Sequence, residues 1–377
     1  MDKIQQAFDW AINQVKTYLP EFTNCFPYSH SENNFYQQSE NVEWTTGFWT
    51  GIIWLCYEKT NEEVFKKVGD LQVHSFLNRI VNKIDTNHHD MGFLYSPSCV
   101  ASFKLTGNEE GRKAAILASD NLISRFQEVG QFIQAWGNLG DEDNYRLIID
   151  CLLNLPLLFW ASEETGDDKY QKVALAHIET AMKVIIREDD STYHTFYFDK
   201  VTGEPTLGVT RQGYRDGSAW ARGQAWGIYG SAIAYHYTKN EKYFDLFNRM
   251  TNFFLTHLPN DLLPYWDFDF TTGSLEPRDS SASAIAICGM LEMSKYLPEK
   301  ESLYYTTKAK ELLNVLIDTC AVKDTSISNG LLLHGTYARK SPYNPCNNRG
   351  VDECNTWGDY YYLEALMRLS KDWDSYW

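Results

Sequence analysis

An all-α toroid of six helical hairpins, an (α/α)6 barrel, is the fold this sequence predicts, and three observations carry it. Six clusters of Trp, His, Asp or Arg each lead into an apolar run of helix length that is rich in small residues. Helices apolar on nearly all sides belong inside a fold. Five of those runs then end in a short turn that opens a charged, amphipathic helix: E-K-T-N-E-E-V-F from Glu58, L-T-G-N-E-E-G-R from Leu105, E-T-G-D-D-K-Y from Glu164, Y-T-K-N-E-K-Y-F from Tyr237 and Y-L-P-E-K-E-S-L-Y from Tyr296. The N-terminal segment has the same outer character and completes a second set of six.

In chain order, the outer helices are expected at about 2–19, 62–81, 108–127, 167–187, 241–258 and 301–318, and the inner ones at about 45–59, 91–105, 146–163, 221–237, 280–296 and 358–370. Gly, Asn or Pro stops each inner helix, and acidic residues open the next at its dipole-positive end. The unequal spacing marks a degenerate repeat with loops inserted between hairpins. The longest loops, about 188–217 and 319–357, are rich in turn formers. The first is expected to form a β-hairpin through H-T-F-Y-F-D-K-V-T-G-E-P, from His194. Both loops arrive where an inner helix begins. Residues 1–377 are read as one catalytic domain, although length alone would suggest two.

If the inner helices run parallel, the six clusters gather at one end: Glu43–Trp49, His88–Phe93, Gln134–Gly137 with Arg146 and Asp150 following, Ser218–Trp226, Pro277–Ser283 and Asn355–Tyr362. An aromatic content of 15%, with 12 Trp and 24 Tyr, suits stacking on the apolar faces of sugars, or else only the packing of a large helical protein. The net charge of −16 opposes binding to nucleic acid or anionic membranes but leaves a small anionic substrate open. The first residues read as an amphipathic helix without the features of a signal peptide, and no uncharged run is long enough to span a bilayer. Cys25, Cys56, Cys99, Cys151, Cys288, Cys320, Cys346 and Cys354 are scattered with no C-x-x-C pair, as reduced packing residues are. A cytoplasmic protein with no obligate protein partner is expected.

Asp150 is the sharpest chemical candidate. It lies in R-L-I-I-D-C-L-L-N-L-P-L-L-F-W, the most apolar stretch of the chain, where desolvation raises a carboxyl pKa. On the expected helix, Arg146 and Asn154 share its face at i−4 and i+4, so an internal Arg146–Asp150 pair is the alternative. Asp90 closes H-H-D before an inner helix; it is either an N-cap or a second carboxylate that tunes Asp150. Adjacent His88 and His89 lack metal-ligand spacing, and neither a metal nor a cofactor is expected. In W-A-R-G-Q-A-W, Arg222 and Trp226 share a face that could offer a guanidinium fork and a ring platform to an acidic sugar; the alternative is an arginine held by carbonyls at a helix end. Arg211 and Gln212 add polar groups at the same mouth, and His194 sits in the long loop aimed there. G-x-S-x-G, G-x-G-x-x-G and P-loop patterns are absent, so phosphoryl transfer and nicotinamide chemistry have no support.

At these residues the sequence resembles the unsaturated glucuronyl hydrolases of glycoside hydrolase family 88. The resemblance runs through E-W-T-T-G-F-W, H-H-D-M-G-F-L-Y-S, I-Q-A-W-G, S-T-Y-H-T-F-Y-F-D, W-A-R-G-Q-A-W-G-I-Y-G, Y-W-D-F, P-R-D-S-S-A-S-A and W-G-D-Y-Y-Y-L-E-A-L, nearly the whole chain. It implies an (α/α)6 barrel and removal of an unsaturated uronic acid from lyase-generated oligosaccharides, with Asp150 as proton donor and Asp90 as the second essential carboxylate. It further implies that His89, His194, Gln212 and Arg222 are polar contacts to the uronate or the reacting water, that Trp44, Trp136 and Trp226 are stacking walls, and that Tyr337 is another substrate contact. V-T-R-Q-G-Y and L-L-L-H-G-x-Y resemble streptococcal-type members, which act on unsaturated chondroitin disaccharides and bind substrate sulfate through a compact Ser/Lys cluster. Here the longer A-R-K-S-P-Y-N-P-C-N-N-R-G-V-D-E departs from that pattern, with Arg349 at the place of the Lys and Ser341 the candidate for one Ser. The substrate expectation is a small anionic glycosaminoglycan oligosaccharide. The rivals are an unsaturated rhamnogalacturonyl hydrolase acting on pectin fragments, a sugar 2-epimerase on the same toroid, and a non-catalytic carbohydrate-binding toroid. The P-R-D-S-S and W-G-D-Y-Y-Y clusters receive no contact and are assigned to the rim.

Overall fold

A computed structural model describes residues 3–377. The first helix, α1 (Lys3–Tyr18), is followed by a hairpin of β1 (Phe26–Glu32) and β2 (Phe35–Ser39); residue 2 of the expected first helix lies outside the described residues. Next come α2 (Thr46–Thr60), α3 (Glu63–Val81), α4 (Met91–Tyr95), a π-helical turn (Ser96–Val100), α5 (Ala101–Thr106) and α6 (Glu109–Ile123). A two-residue pair, β3 (Phe126–Gln127) and β4 (Phe132–Ile133), leads to β5 (Arg146–Ile148), a 3-10 turn (Ile149–Leu153), α7 (Pro156–Thr165) and α8 (Lys169–Val184). The expected hairpin forms as β6 (Thr195–Phe198) and β7 (Pro205–Val209), with β5 added on its other edge. The chain then runs through α9 (Ala221–Thr238), α10 (Glu241–His257), α11 (Ser280–Ser294), α12 (Glu299–Thr319), the hairpin β8 (Gly335–Ala338) and β9 (Arg349–Glu353), and α13 (Thr356–Ser370).

Contacts close the inner helices into a ring. α2 packs on α4 and the π turn, α4 on α7, the 3-10 turn before α7 on α9, α9 on α11, α11 on α13, and α13 back on α2. Each inner helix carries its outer partner, and the sixth hairpin joins the two chain ends through α13 and α1. This is the (α/α)6 barrel. α9 and α11 are buried along nearly their whole length, as their uncharged composition requires, while α10 hides only Tyr243, Phe247, Met250, Thr251 and Phe254 on one stripe. The hairpin turns follow the sequence signals: Asn61, Gly107 and Gly166 take the left-handed conformation at the ends of α2, α5 and α7. At the fourth turn Lys239 takes that conformation, leaving the Asn240 side chain to accept the Lys242 N–H and cap α10.

Two inner helices depart from expectation. The run 91–105 is broken by the π turn around Pro97, a residue that cannot donate to the helix ladder. The run 146–163 is helical only from Pro156, at the first-turn position proline favours. Its first part pairs as β5 with β6, Arg146 opposite Tyr197 and Ile148 opposite Thr195, so tertiary pairing overrides the apolar helical pattern. Arg146, Asp150 and Asn154 therefore do not share a helix face. Arg146 donates to the Tyr197 hydroxyl at 2.7 Å, and the alternative Arg146–Asp150 pair does not form. No helix among the described residues is long and apolar enough to cross a membrane, and all eight cysteines are free.

Candidate active site

The inner helices deliver their polar N-terminal segments to one end of the barrel. There Trp44, Asp90, Trp136, Asp150, His194, Gln212 and Tyr337, with Ile148 and Arg211, line a cleft of about 230 Å³. Trp44 comes from the segment before α2, Asp90 from the start of α4, and Asp150 from the 3-10 turn. His194 and Gln212 flank the β6–β7 hairpin, and Tyr337 lies on β8.

Two local contacts bring the carboxylates together. Gly92 lets the start of α4 lie flat on the chain leaving the 3-10 turn, since a Cβ there would stand 2.3 Å from Asn154 Cα. The Asn154 side chain then accepts the Phe93 N–H at 2.8 Å and donates to the Asp150 carbonyl at 3.4 Å. His89, fully buried, places Nε2 3.4 Å from an oxygen of Asp90 and 3.4 Å from an oxygen of Asp150. Asp90 holds the N-cap position of α4, yet its carboxylate accepts no helix N–H. It turns instead toward His88, whose Nδ1 is 3.1 Å away. The capping alternative therefore does not account for this aspartate.

Electrostatics separates the two acids. Burial lifts the Asp150 carboxyl well above its ordinary range, and the neighbouring Asp90 charge lifts it further. Burial acts upward on Asp90 too, but its His89, His88 and Arg125 neighbours outweigh it and hold this carboxylate below its usual value. Burial lowers His89 to about 4 and His194 to about 3, so both are neutral imidazoles at pH 7, and Arg125 is the permanent charge that favours an ionised Asp90. A protonated Asp150 beside an ionised Asp90 is an acid and an electrostatic partner, the division that general acid–base chemistry needs. His89, Asp90 and Asp150 also set one donor atom each within 4.8 Å of one another. These three are close in space but not evenly spaced along the chain, so ligand spacing in the sequence does not reveal them as a possible cation-binding set.

The aromatic and polar walls are built differently. The Trp44 indole donates to the Tyr337 hydroxyl at 2.9 Å and stacks on Trp357 at 5.0 Å. Trp136 stacks on His88 at 4.5 Å. His194 Nδ1 meets Thr195 Oγ1 at 2.6 Å, its Nε2 lies 3.4 Å from the Gln212 amide nitrogen, and its ring leans on Trp220. Arg211 presents a cation to the cleft, with no ion-pair partner among the described residues.

Two expectations are corrected here. Arg222 is buried behind the cleft: its guanidinium donates to Asp279 at 2.6 Å, to the carbonyls of Thr336 and Tyr337 at 2.6 and 2.5 Å, and to the Gln212 side-chain oxygen at 3.0 Å. It is no open fork, and the carbonyls that hold it belong to β8 rather than to a helix end. Trp226 is 1% exposed and packs against Phe93 and Tyr361, so no ring face is left for a sugar. Spacing of four places both residues on one face of α9 without saying how deep that face lies. Ser341 is also spent, donating to the Tyr214 carbonyl and accepting the N–H groups of Tyr343 and Asn344. Arg349 does reach the rim, pairing with Glu43 at 3.2 Å and lying over the Tyr337 ring.

Residues 18–358 match Glycosyl Hydrolase Family 88, and the chain belongs to that family. It is 49% identical to an unsaturated chondroitin disaccharide hydrolase of Streptococcus pneumoniae, over 100% of this chain and 94% of the relative. It is 43% identical to an unsaturated glucuronyl hydrolase of Bacillus sp. strain GL1, over 99% of this chain and 98% of the relative. The crystal structure of an unsaturated glucuronyl hydrolase from Streptococcus agalactiae superposes with a TM-score of 0.95 at 49% identity, covering 100% of this chain and 94% of that one.

Proposed function

We propose that this protein removes 4,5-unsaturated glucuronic acid from the non-reducing end of lyase-generated glycosaminoglycan disaccharides, with residues 1–377 acting as one catalytic domain. The carrying observation is the pair of carboxylates around His89, the proton affinity of Asp150 raised by burial and by Asp90, and that of Asp90 lowered by its neighbours. Protonated Asp150 donates its proton to carbon 4 of the carbon 4–carbon 5 double bond, and an oxocarbenium-like centre develops at carbon 5. A water attacks carbon 5 and returns a proton to Asp150. The resulting hemiketal opens, the bond to the neighbouring sugar breaks, and one water has been consumed. Ionised Asp90 stabilises the positive charge and keeps Asp150 basic enough to recover its proton. Since attack is not at the anomeric carbon, the usual rule linking carboxylate spacing to stereochemistry does not apply.

The remaining cleft residues bind. Trp44, Trp136 and Tyr337 offer ring surfaces. Arg211 and the Gln212 amide meet the anionic end of the sugar, with His194 beside Gln212. Arg222 acts on the substrate from behind, through Gln212 and Tyr337. The similarity to a chondroitin disaccharide hydrolase favours this substrate class over pectin fragments, and family membership favours hydrolysis over epimerisation. Eight unpaired cysteines suit a reducing compartment, and we place the enzyme in the cytoplasm, acting on a small anionic sugar without cofactor or obligate partner.

The test follows the ultraviolet absorbance of the conjugated double bond in unsaturated chondroitin disaccharides. Wild-type protein should abolish it, and in deuterated water label should enter carbon 4 of the product. Persistent absorbance rejects the activity; decay without label at carbon 4 rejects the hydration route.

A further inference from the structure

The two sequence clusters without a cleft residue, P-R-D-S-S and W-G-D-Y-Y-Y, meet in the interior behind the Trp44–Tyr337 wall. Asp279, fully buried at the N-cap of α11, spends one carboxylate oxygen on Arg222 at 2.6 Å and the other on Ser281, whose hydroxyl donates at 2.5 Å and whose N–H donates at 3.2 Å. The Ser281 hydroxyl in turn accepts the Trp357 indole N–H at 3.0 Å, and Trp357 is the ring on which Trp44 stacks. Arg222, held between the rings of Trp220 and Trp357 at 4.6 and 5.0 Å, carries the other arm to Gln212 and to the Tyr337 backbone. The two arms rejoin at the cleft, where Trp44 donates to the Tyr337 hydroxyl.

We propose that Asp279 is a positioning residue: through Arg222 it sets Gln212 and Tyr337, and through Ser281 and Trp357 it sets Trp44, so one buried carboxylate fixes a whole wall of the cleft. A buried guanidinium with four acceptors is stable in one orientation only while its counter-charge remains. Removal of that charge leaves an uncompensated cation, which can recover by turning toward water or toward the anionic substrate. The expected defect is chiefly in substrate binding, because Asp150, Asp90 and His89 share no hydrogen bond with the circuit and Arg222 reaches Asp150 only through its charge. The inference rests on the proposed hydrolase activity.

The test is a double-mutant cycle read in kcat/KM on an unsaturated chondroitin disaccharide. Asp279→Asn should raise KM at least 10-fold with a smaller change in kcat. In a Gln212→Ala background the same substitution should cost only a few-fold, because the arm it acts through is already cut. Multiplicative effects, or a lowered melting temperature with unchanged KM, overturn the proposal. Ser281→Ala keeps the Asp279–Arg222 pair and is the milder probe should Asp279→Asn fail to fold. It should raise KM several-fold and weaken the circular-dichroism signal of the stacked Trp44 and Trp357 indoles; unchanged KM and an unchanged signal count against the Trp arm. Wild-type protein that does not turn over the disaccharide defeats the activity reading instead, and the dichroism of Asp279→Asn then decides the brace alone, retention of the wild-type signal refuting it.

Discussion

The two sides of the cleft are built on opposite terms. On the side of α4 and the 3-10 turn, both nitrogens of His89, one oxygen of Asp90 and one of Asp150 are buried without a hydrogen-bond partner. On the side of α9, α11 and β8, Arg222 and Asp279 are also buried, yet each is held by several hydrogen bonds. An unsatisfied buried polar group costs about 1–3 kcal/mol, so the fold carries a penalty at the two acids and His89 that it avoids at the Arg222–Asp279 pair. The unsatisfied side holds displaced proton affinities and can exchange a proton with substrate; the satisfied side holds shape.

The largest effect should come from breaking the unsatisfied side. Asp150→Asn removes the proton donor and should lower kcat by about 10²–10⁴-fold, while disaccharide binding, followed by tryptophan fluorescence, persists. The same variant should be more stable than wild type. The folded-state pKa of Asp150 lies above its unfolded value of about 3.9, so the folded state holds this proton more tightly. The stability it contributes is present at low pH and is lost as pH rises through the folded value. The rise in melting temperature on Asp150→Asn should therefore be larger at pH 8 than at pH 4. A variant less stable at pH 8 would contradict the assignment of Asp150 as the strained acid.

Asp90→Asn should act less on rate and more on pH dependence. Asp90 raises the Asp150 pKa by its charge, so neutralising it should move the alkaline limb of the kcat profile to lower pH. Asp90 itself is depressed in the folded state and contributes stability above the unfolded value of about 3.9 that is lost as pH falls. The variant should therefore lose stability at neutral pH, opposite in sign to Asp150→Asn. Equal signs for the two would remove the distinction between the acids.

Next in size is the junction that brings the acids together. Gly92→Ala puts a Cβ against the Asn154 backbone, where nothing can give, and overpacking of this kind costs about 1–3 kcal/mol. Denaturant unfolding should register that loss, with kcat falling as Asp90 and Asp150 separate. A glycine so placed hardly shows in sequence, where M-G-F reads as any helix start. The barrel, by contrast, was legible because small apolar runs and capped turns repeat around it. What sequence hid was depth and tertiary pairing. Apolar R-L-I-I-D reads as helix, yet β6 captures R-L-I as a strand and Asp150 falls in the 3-10 turn that follows; it still keeps the buried setting its neighbours imply. Arg222 and Trp226 have the right helix and the wrong depth, because α9 is buried all round and periodicity cannot choose among its faces. Sequence alone assigns Asp279 and Trp357 no contact, because Arg222 and Trp44 lie far away along the chain. Arg211 was visible in V-T-R-Q-G-Y, but nothing in the sequence ranked it above Arg222.

The smallest effect should fall at the outer edge of the satisfied wall. Arg349 lies over Tyr337 and bonds the Tyr28 hydroxyl at 2.7 Å and Glu43 at 3.2 Å, but it is partly open to water. Exposed pairs of this kind contribute about 0–1 kcal/mol, so Arg349→Ala should leave the melting temperature nearly unchanged. The wall behind it keeps Arg222 and Asp279, and kcat/KM for an unsulfated disaccharide should fall less than 10-fold. A sulfated disaccharide adds a second anion near the rim, where Arg349 can exchange Glu43 for sulfate, and its turnover should fall further than that of the unsulfated sugar. Equal losses for the two sugars would confine Arg349 to bracing Tyr337, and would extend the satisfied, shape-holding character of that side out to its solvent edge.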